Sequence, residues 1–525
     1  MSRRFEEPPT IFLNGKFLTL SKRLTKASAV LVEGGRISAV GSAPAVRRAA
    51  PRGAEKVDLK GLHVVPGFND CHTHFVQMGI DSMAVDLSGT RSLDEALRRI
   101  RMGVPRTPEG RWVIATGWSE SAWPGGRFIT GKDLDLCSPG RPVVAYRVCG
   151  HLCTVNSKAL SELDLDHRNA DVEKGSGGRP TGVLTEDAVS VCRKATEPDA
   201  EVRIRGLRLA TKKAHRLGVT SVTENGSPED LATCLKAARD GTLGVRVCFN
   251  MPSGNLDSLL STSMSTGFGD SWLRLGGLKI FCDGALGARS AALSEPYADD
   301  PRNKGMFVHE RKDLDEMTSK ANEAGIQLAI HAIGDVGIDV AIDSISSALK
   351  SAPRKDHRHR IEHLELPSVG NLRRMSRLGL IASMQPNFVG EWGGTEGMYV
   401  SRLGRARTGR NNPFREVLDA GVRLVFGSDC MPFSPLYGFS SAVNAPFPAQ
   451  RISGLEGISA YTRDAAFATF EEDDKGTIDE GKLADFVVLS GDPTAREAVR
   501  STSVMMTVLG GRIVFRAPGM DRRDL

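Results

Sequence analysis

The sequence has no long hydrophobic run, no block of basic residues and no interleaved aromatic tract. No window of its 525 residues approaches about 18 uninterrupted apolar residues, so we expect no transmembrane helix. The formal net charge of +6 comes from 69 basic and 63 acidic residues scattered along the chain. These absences argue against a membrane protein and against a protein that binds nucleic acid.

Cysteine is too sparse for a disulfide framework. Nine cysteines are an odd number, and the closest pair, Cys149 and Cys153, has three intervening residues rather than the two of a C-x-x-C motif. We therefore expect reduced and mostly buried thiols. Residues 1–9 contain charges but no apolar segment of the kind found in signal peptides, which favours a cytoplasmic protein.

The chain is rich in glycine and in short apolar runs. Strand-like pieces separated by glycine turns occur in residues 10–65 and again in residues 484–515. This texture predicts one composite β-sandwich built from residues 1–66 and 478–525. Between the two ends, in residues 67–477, short apolar runs alternate with helical stretches, which is the pattern of βα units around a parallel sheet.

Eight apolar runs can be counted, and eight is the number of strands in a TIM barrel. They end at His72, Glu224, Met251, Gly284, His331, His363, Pro386 and Asp429. The sequence therefore predicts an α/β fold with a TIM-like (β/α)8 barrel. Roughly 130 residues separate the first two runs, more than a βα connection requires, so we expect an insertion at about residues 84–200 that caps the active site.

Histidines and one aspartate gather at the ends of these runs. His72 and His74 lie two apart at the end of the first run, and alternation along a strand points both imidazoles to the same face. His331, His363 and Asp429 close the fifth, sixth and eighth runs. Because TIM-barrel catalysis occurs at the carboxyl ends of the strands, these residues predict a site for zinc or a similar divalent ion.

Lys279 lies inside the fourth apolar run, where a bare ammonium group is costly unless it is paired. One interpretation is a salt bridge to Asp283 or Glu224. The other is that the desolvated amine has lost its proton and taken up CO2. The resulting carboxylated lysine is an anionic ligand that can bridge two metal ions.

The order and strand-end placement of these residues resemble the amidohydrolase superfamily. More narrowly, the chain resembles its YtcJ-like branch, amidohydrolase family 3, which includes N-substituted formamide deformylases. Longer segments carry the same character, namely residues 65–74, 150–160, 278–287, 331–335 and 481–489. The resemblance covers nearly the whole chain, and its motifs identify the fold and the metal site more closely than the substrate.

The resemblance implies that a metal-bound hydroxide attacks a polarised carbonyl and that Asp429 moves the proton to the leaving amine. It implies one or two divalent ions, with zinc preferred, and the metal ligands His72, His74, Lys279, His331, His363 and Asp429. In the insertion, His151 is a candidate catalytic residue that hydrogen-bonds the substrate or its oxyanion. Further substrate-binding candidates are Asp283, Arg289, Trp118 and Glu186.

Several of these assignments have alternatives. Glu186 could be a metal ligand in place of Lys279 or an ordinary surface residue, and Trp118 could belong to the core of the insertion rather than to a pocket. Asp335 could orient His331 or cap a helix.

We expect a hydrolase that cleaves an amide or other non-peptide C–N bond of a small molecule, without nucleic-acid or membrane partners, and a homodimer stays open. A deaminase is the nearest alternative, but deaminases of this type have a glutamate shortly after the histidine of the fifth strand. Here residues 332–335 offer only Asp335. The same barrel would also suit a non-catalytic scaffold, an isomerase or a decarboxylase.

Overall fold

The computed structural model describes residues 8–149, 151–165 and 171–520. It separates into two compact units. The larger comprises Met1–Phe75 with Ala210–Leu525, and the smaller is Val76–Leu209. None of the described helices is long and apolar enough to cross a membrane.

The larger unit contains a parallel sheet of eight strands, numbered here β1 to β8 in chain order. They are β1 (Phe68–Thr73), β2 (Val219–Asn225), β3 (Arg246–Pro252), β4 (Leu273–Phe281), β5 (Gln327–Ala332), β6 (Arg360–His363), β7 (Ile381–Met384) and β8 (Arg423–Phe426). Each strand lies beside its neighbours in sequence, from β1 at one end of the ladder to β8 at the other. The eight apolar runs are thus confirmed as the strands of a nearly closed TIM-like barrel.

Strands of this barrel are buried along most of their length because both faces are covered. Every residue of β2 and of β5 is buried, for example. Glycine marks the turns into several strands. Gly379 ends the helix Val369–Leu378 before β7 with φ 69°, a backbone conformation that glycine adopts without strain.

Helices separate the barrel strands in sequence. In the larger unit, to which the helix Ala200–Arg216 contributes its C-terminal part, they are Ala43–Ala49, Ala200–Arg216, Pro228–Arg239, Leu256–Ser261, Arg311–Glu323, Asp335–Ser351, Val369–Leu378, Pro386–Trp392, Met398–Thr408, Phe414–Asp419, Pro435–Val443, Gly454–Tyr461 and Arg463–Ala468. Amphipathic sequence predicts two of them closely, as residues 200–217 and 313–324.

Strands from the two ends of the chain share one sheet. The six-stranded sheet has the order Arg512–Arg516, Val504–Leu509, Phe486–Leu489, His63–Pro66, Lys16–Leu18 and Lys26–Ala27. A four-stranded sheet has the order Arg36–Gly41, Ala29–Glu33, Thr10–Leu13 and Glu55–Asp58. Phe12 of the four-stranded sheet packs edge-on against Phe486 of the six-stranded sheet at 4.9 Å between ring centroids, so the two sheets enclose one core.

A buried ion pair joins this sandwich to the barrel. Arg246 at the start of β3 donates to both carboxylate oxygens of Asp485, at 2.6 Å from Nε and 3.0 Å from a terminal nitrogen. Asp485 also accepts the backbone N–H of Gly510 at 2.7 Å. The residues just before a strand of the sandwich therefore lie against the amino end of a barrel strand.

The smaller unit has its own six-stranded sheet, and the predicted insertion at residues 84–200 lies within its range. The strand order is Val172–Lys174, Pro180–Thr185, Leu152–Val155, Val143–Arg147, Val113–Trp118 and Val85–Asp86. Its helices are Phe75–Asp81, which begins at the unit boundary, Leu93–Gly103, Gly131–Asp135, Ser157–Glu162 and Glu186–Ala195.

Candidate metal centre and active site

His72, His74 and Asp429 form a cluster at the carboxyl ends of β1 and β8. Each offers a ligand atom, and these atoms all lie within 4.8 Å of one another. Nε2 of His74 is 3.4 Å, and Nε2 of His72 3.8 Å, from Oδ1 of Asp429. Two imidazoles and a carboxylate at this spacing are a donor set that suits zinc and related divalent ions.

Hydrogen bonds on the far side of each imidazole decide which ring nitrogen is free. Nδ1 of His74 lies 2.8 Å from the carbonyl oxygen of Asn225, and Nδ1 of His72 lies 2.5 Å from a carboxylate oxygen of Glu362. A carbonyl and an ionised carboxylate only accept, so both Nδ1 atoms carry hydrogen and the lone pairs are on Nε2, toward Asp429. The residues present therefore fit a divalent ion.

His331 and His363 continue the cluster along the barrel mouth. The ring of His363 lies 4.8 Å from the ring of His72 and 4.4 Å from that of His331, measured between centroids. His331 donates through Nε2 to the carbonyl of Gly284 at 3.1 Å. The Nδ1 atoms of His331 and His363 are buried without a hydrogen-bond partner in the described part of the chain, which leaves them available as ligands.

Burial keeps these imidazoles neutral. It lowers the pKa of His72, lowers that of His363 well below its ordinary value, and lowers that of His331 to about 3. The nearby charge of Lys279 lowers all three pKa values further. Neutral imidazole is the form that binds metals.

Lys279 is buried in β4 beside these residues. Its Nζ forms no hydrogen bond with any described residue and lies 4.7 Å from the centroid of the Phe281 ring. Burial lowers the pKa of the amine to about 8. Asp283 accepts no hydrogen bond from Nζ, and its carboxylate instead accepts the backbone N–H groups of residues 292, 333 and 334 at 2.9–3.0 Å. Glu224 instead accepts the hydroxyl of Thr73 at 3.1 Å.

The candidate residues that follow β4 and β5 form hydrogen bonds with other residues of the protein. Asp283 is fully buried, so its bonds organise the loop after β4 against the end of β5. Arg289 donates to both oxygens of Asp299, at 3.1 and 3.0 Å. Asp335 begins the helix after β5 and accepts the backbone N–H of Ser294 at 3.0 Å.

The remaining candidates lie in the smaller unit. Nδ1 of His151 is 3.3 Å from a carboxylate oxygen of Glu186, and both side chains are largely exposed. Trp118 is fully buried, is stacked on Trp123 at 5.7 Å, and donates through Nε1 to the carbonyl of Ala145 at 3.0 Å. The structure thus pairs His151 with Glu186 and places Trp118 in the core of the unit.

Sequence reasoning missed Glu362 and Arg360, which lie on β6 just before His363. Burial alone would raise the pKa of Glu362, but the charge of Arg360 and the hydrogen bond from His72 lower it below its ordinary value. The available signal was two charged residues inside a predicted barrel strand, similar to the signal that singled out Lys279. It reveals an unusual environment but not the partner.

The protein is a TIM barrel of eight parallel strands. The imidazoles, the buried lysine and the aspartate at its mouth form a candidate metal-binding active site. The model of the amidohydrolase family matches residues 55–515, and that of a bacterial imidazolonepropionase-like composite domain matches residues 29–52. The chain therefore belongs to the amidohydrolase family, as its motifs predict, and is a hydrolase by class.

Three similar proteins illustrate this membership. The putative amidohydrolase YtcJ of Bacillus subtilis is 31% identical, over 96% of this chain and 99% of its own. The N-substituted formamide deformylase of Arthrobacter pascens is 28% identical, over 97% and 98%. A metal-dependent hydrolase of Pyrococcus furiosus, known by crystal structure, is 31% identical with a TM-score of 0.80, over 93% of this chain and 100% of its own. Family and neighbours together imply a divalent metal.

Proposed function

We propose that the protein hydrolyses an amide or another non-peptide C–N bond of a small molecule, with zinc as its preferred metal ion. The observation that carries the proposal is the arrangement of His72 and His74, whose Nε2 lone pairs face the Asp429 carboxylate at 3.8 and 3.4 Å. The name of the formamide deformylase relative supports the choice of a C–N bond.

The ligands divide into two groups. His72, His74 and Asp429 would hold one ion, and His331 with His363 would hold a second when Lys279 is carboxylated between them. A bound divalent ion polarises a substrate carbonyl and lowers the pKa of water from about 15.7 to about 7. If the site holds a single ion, His72, His74 and Asp429 alone would bind it.

Asp429 moves the proton. Its side chain is about one-sixth exposed, 16%, at the open end of the barrel, so water and substrate can reach it. The carboxylate takes a proton from the attacking water as the C–O bond forms, and it delivers that proton to the nitrogen as the C–N bond breaks. A positioned acid–base group of this kind contributes about 10²- to 10⁴-fold to the rate.

Lys279 is proposed to carry a carboxyl group. Its neutral amine adds to the carbon of CO2 and releases one N–H proton, which leaves an anionic carbamate. Two observations support this step, namely the burial of Nζ without any hydrogen-bond partner in the described part of the chain and a pKa lowered to about 8. The modification also removes a positive charge from beside the metal ligands. Glu186 stays the alternative ligand.

The wider assignments are also proposals. They are a composite sandwich of residues 1–66 and 478–525, a barrel of residues 67–477 and a cap of residues 84–200. Nine free thiols support a reducing, cytoplasmic location. We also propose assembly as a homodimer, which light scattering on the purified protein tests.

The deaminase alternative is not supported by Asp335, the acidic residue that follows His331. Its carboxylate accepts the backbone N–H of Ser294 and is used within the protein.

A hydrolysis screen tests the reaction. N-formyl, N-acyl, cyclic amide and carbamate substrates are offered to protein loaded with zinc or manganese, and release of the amine is measured. Asp429→Asn protein prepared in the same way is the control. Turnover of at least one class by the wild type alone is expected. Cleavage of esters or phosphoesters with none of the four classes turned over would contradict the C–N assignment.

A further inference from the structure

Three fully buried side chains form a continuous chain across the barrel interior. Nδ1 of His72 on β1 is 2.5 Å from one carboxylate oxygen of Glu362, and Nε of Arg360 is 2.7 Å from the other. At most 1% of each side chain is exposed. Arg360 and Glu362 lie two apart on β6, so both point to the same face of the strand.

The guanidinium of Arg360 is fixed from three strands. One terminal nitrogen donates to the carbonyl of Cys71 on β1 at 2.6 Å and to the hydroxyl of Ser383 on β7 at 3.2 Å, while Nε donates to Glu362. Cys71 directly precedes His72. The arginine therefore holds the carboxylate and the backbone of the histidine in one rigid arrangement.

The charge of Arg360 determines what Glu362 can do. Arginine stays protonated in proteins, and a fully buried carboxylate next to it is ionised. An ionised carboxylate only accepts hydrogen bonds, so His72 must carry its hydrogen on Nδ1 and its lone pair on Nε2. Nε2 is the atom that faces Asp429 at 3.8 Å.

We propose that Glu362, held in place by Arg360, is a positioning residue that fixes the tautomer and orientation of His72 and thereby sets the affinity of the divalent metal site. This inference rests on the proposed metal-dependent function. The pair stands behind the ligand, on the side away from Asp429, and contacts neither substrate nor reacting atoms. Partners that orient a metal-binding histidine are typically worth about 10- to 100-fold in metal affinity.

Glu362→Gln is the sharpest variant, because it keeps the shape and removes the charge. Arg360 only donates, so the amide oxygen of the glutamine turns toward it and the amide NH2 turns toward His72. That NH2 donates to Nδ1, which moves the ring hydrogen to Nε2 and blocks the lone pair that a metal needs. We expect the zinc Kd, measured by competition with a chromophoric chelator on metal-free protein, to rise at least tenfold. Nitrogen NMR of His72 should report the changed tautomer.

Two controls separate positioning from packing. Glu471→Gln makes the same change in another buried ion pair, with Lys475 at 2.8 Å, near the amino ends of the strands. It should lower the stability of the metal-free protein and leave the zinc Kd unchanged. The double variant Arg360→Met with Glu362→Leu replaces the pair by apolar side chains, which is often neutral for folding, yet removes the acceptor of His72. Its zinc Kd should also rise at least tenfold.

Each outcome decides the proposal. A tenfold or greater rise in Kd in whichever of the two variants folds supports it, and a smaller change in a folded variant overturns it. If neither Glu362→Gln nor the double variant folds, the pair is structural and the proposal is overturned. A wild-type protein that binds no zinc at all contradicts the proposed function instead, so the two failures are distinguishable.

Discussion

Nδ1 of His74 lies 2.8 Å from the backbone carbonyl of Asn225, at the end of β2. A carbonyl accepts but never donates, so this bond orients the ring and leaves its Nε2 lone pair facing Asp429 at 3.4 Å. Nearly half of the His74 side chain is exposed, whereas that of His72 is buried. The accessible ligand is thus oriented by the backbone, and the buried ligand by Glu362.

Removal of the metal should abolish activity. The proposed chemistry depends on an ion held by His72, His74 and Asp429, so a strong chelator should stop turnover and added zinc or manganese should restore it. Metal content and rate are measured on the same samples, with circular dichroism as the control for folding. Full turnover in protein verified as metal-free would rule out this mechanism.

Asp429→Asn should lower turnover by about 10²- to 10⁴-fold while the fold stays intact. Asp429 has φ 50°, a left-handed conformation that asparagine also tolerates, and the two side chains have nearly the same shape. The measurement is kcat at saturating substrate together with bound metal and thermal unfolding. A wild-type rate in this variant would exclude Asp429 from the proton transfer.

Lys279→Ala should lose metal and activity together, and short carboxylic acids should restore part of both by occupying the place of the carbamate. Lys475→Ala is the matched control, because it removes another buried lysine, which bonds Ser221 at 2.9 Å near the amino ends of the strands. That variant should keep its metal. Carbon NMR after exposure to labelled CO2 tests the modification directly. An unmodified Lys279 in fully loaded and active protein would shift attention to Glu186.

His151→Ala should change kcat or KM by at least tenfold while metal content stays normal. The expectation follows from the prediction that residues 84–200 cap the active site and that His151 contacts the substrate. Glu186→Gln, which removes the charge 3.3 Å from Nδ1 of His151, should produce a weaker effect in the same direction. Normal kinetics in both variants, with normal metal content, would leave His151 without a role in the reaction.

Arg246→Met should lower the free energy of unfolding by about 3–5 kcal/mol, because it leaves the buried Asp485 without its cation. Urea denaturation of the metal-free protein measures the change. Lys236→Met is the control, since Lys236 pairs with Asp240 on an exposed helix face, where such pairs contribute about 0.3–0.5 kcal/mol. A loss below about 1 kcal/mol for Arg246→Met would show that the pair does little to hold the barrel to the sandwich.

The barrel and most of its mouth could be predicted because both follow from position along the chain. Once eight apolar runs are counted, each residue that closes a run is assigned to the same edge of a parallel sheet, as His331 and Asp429 illustrate. The ends of helices can also be predicted from residues close by in the sequence. Gly325, with φ 76°, lies two residues after the last residue of the helix Arg311–Glu323 and predicts where that helix stops.

Partners across the barrel interior could not be predicted in this way. Glu362 and His72 are hydrogen-bonded although they are 290 positions apart in the sequence. The residues around each of them do not indicate which partner its side chain will contact. Trp118 presents the same difficulty in another form. An aromatic residue in an insertion suits a pocket and a core equally well until its packing on Trp123 is seen.

The two outermost strands of the barrel ladder, β1 and β8, have no ladder pairing with each other among the described strands. The N–H of Asp429 donates to the carbonyl of His72 at 2.8 Å, and the N–H of Ser428 donates to the carboxylate of Asp70 on β1 at 2.8 Å. The strands also approach closely at Gly427, where any side chain would collide with the backbone of His72. The proposed ligands lie on both sides of this junction, with His72 and His74 at the end of β1 and Asp429 after β8. A metal ion bound between β1 and β8 would help to close the barrel as well as support catalysis. A mutation that only weakened this closure would therefore be measured in an assay as a loss of activity.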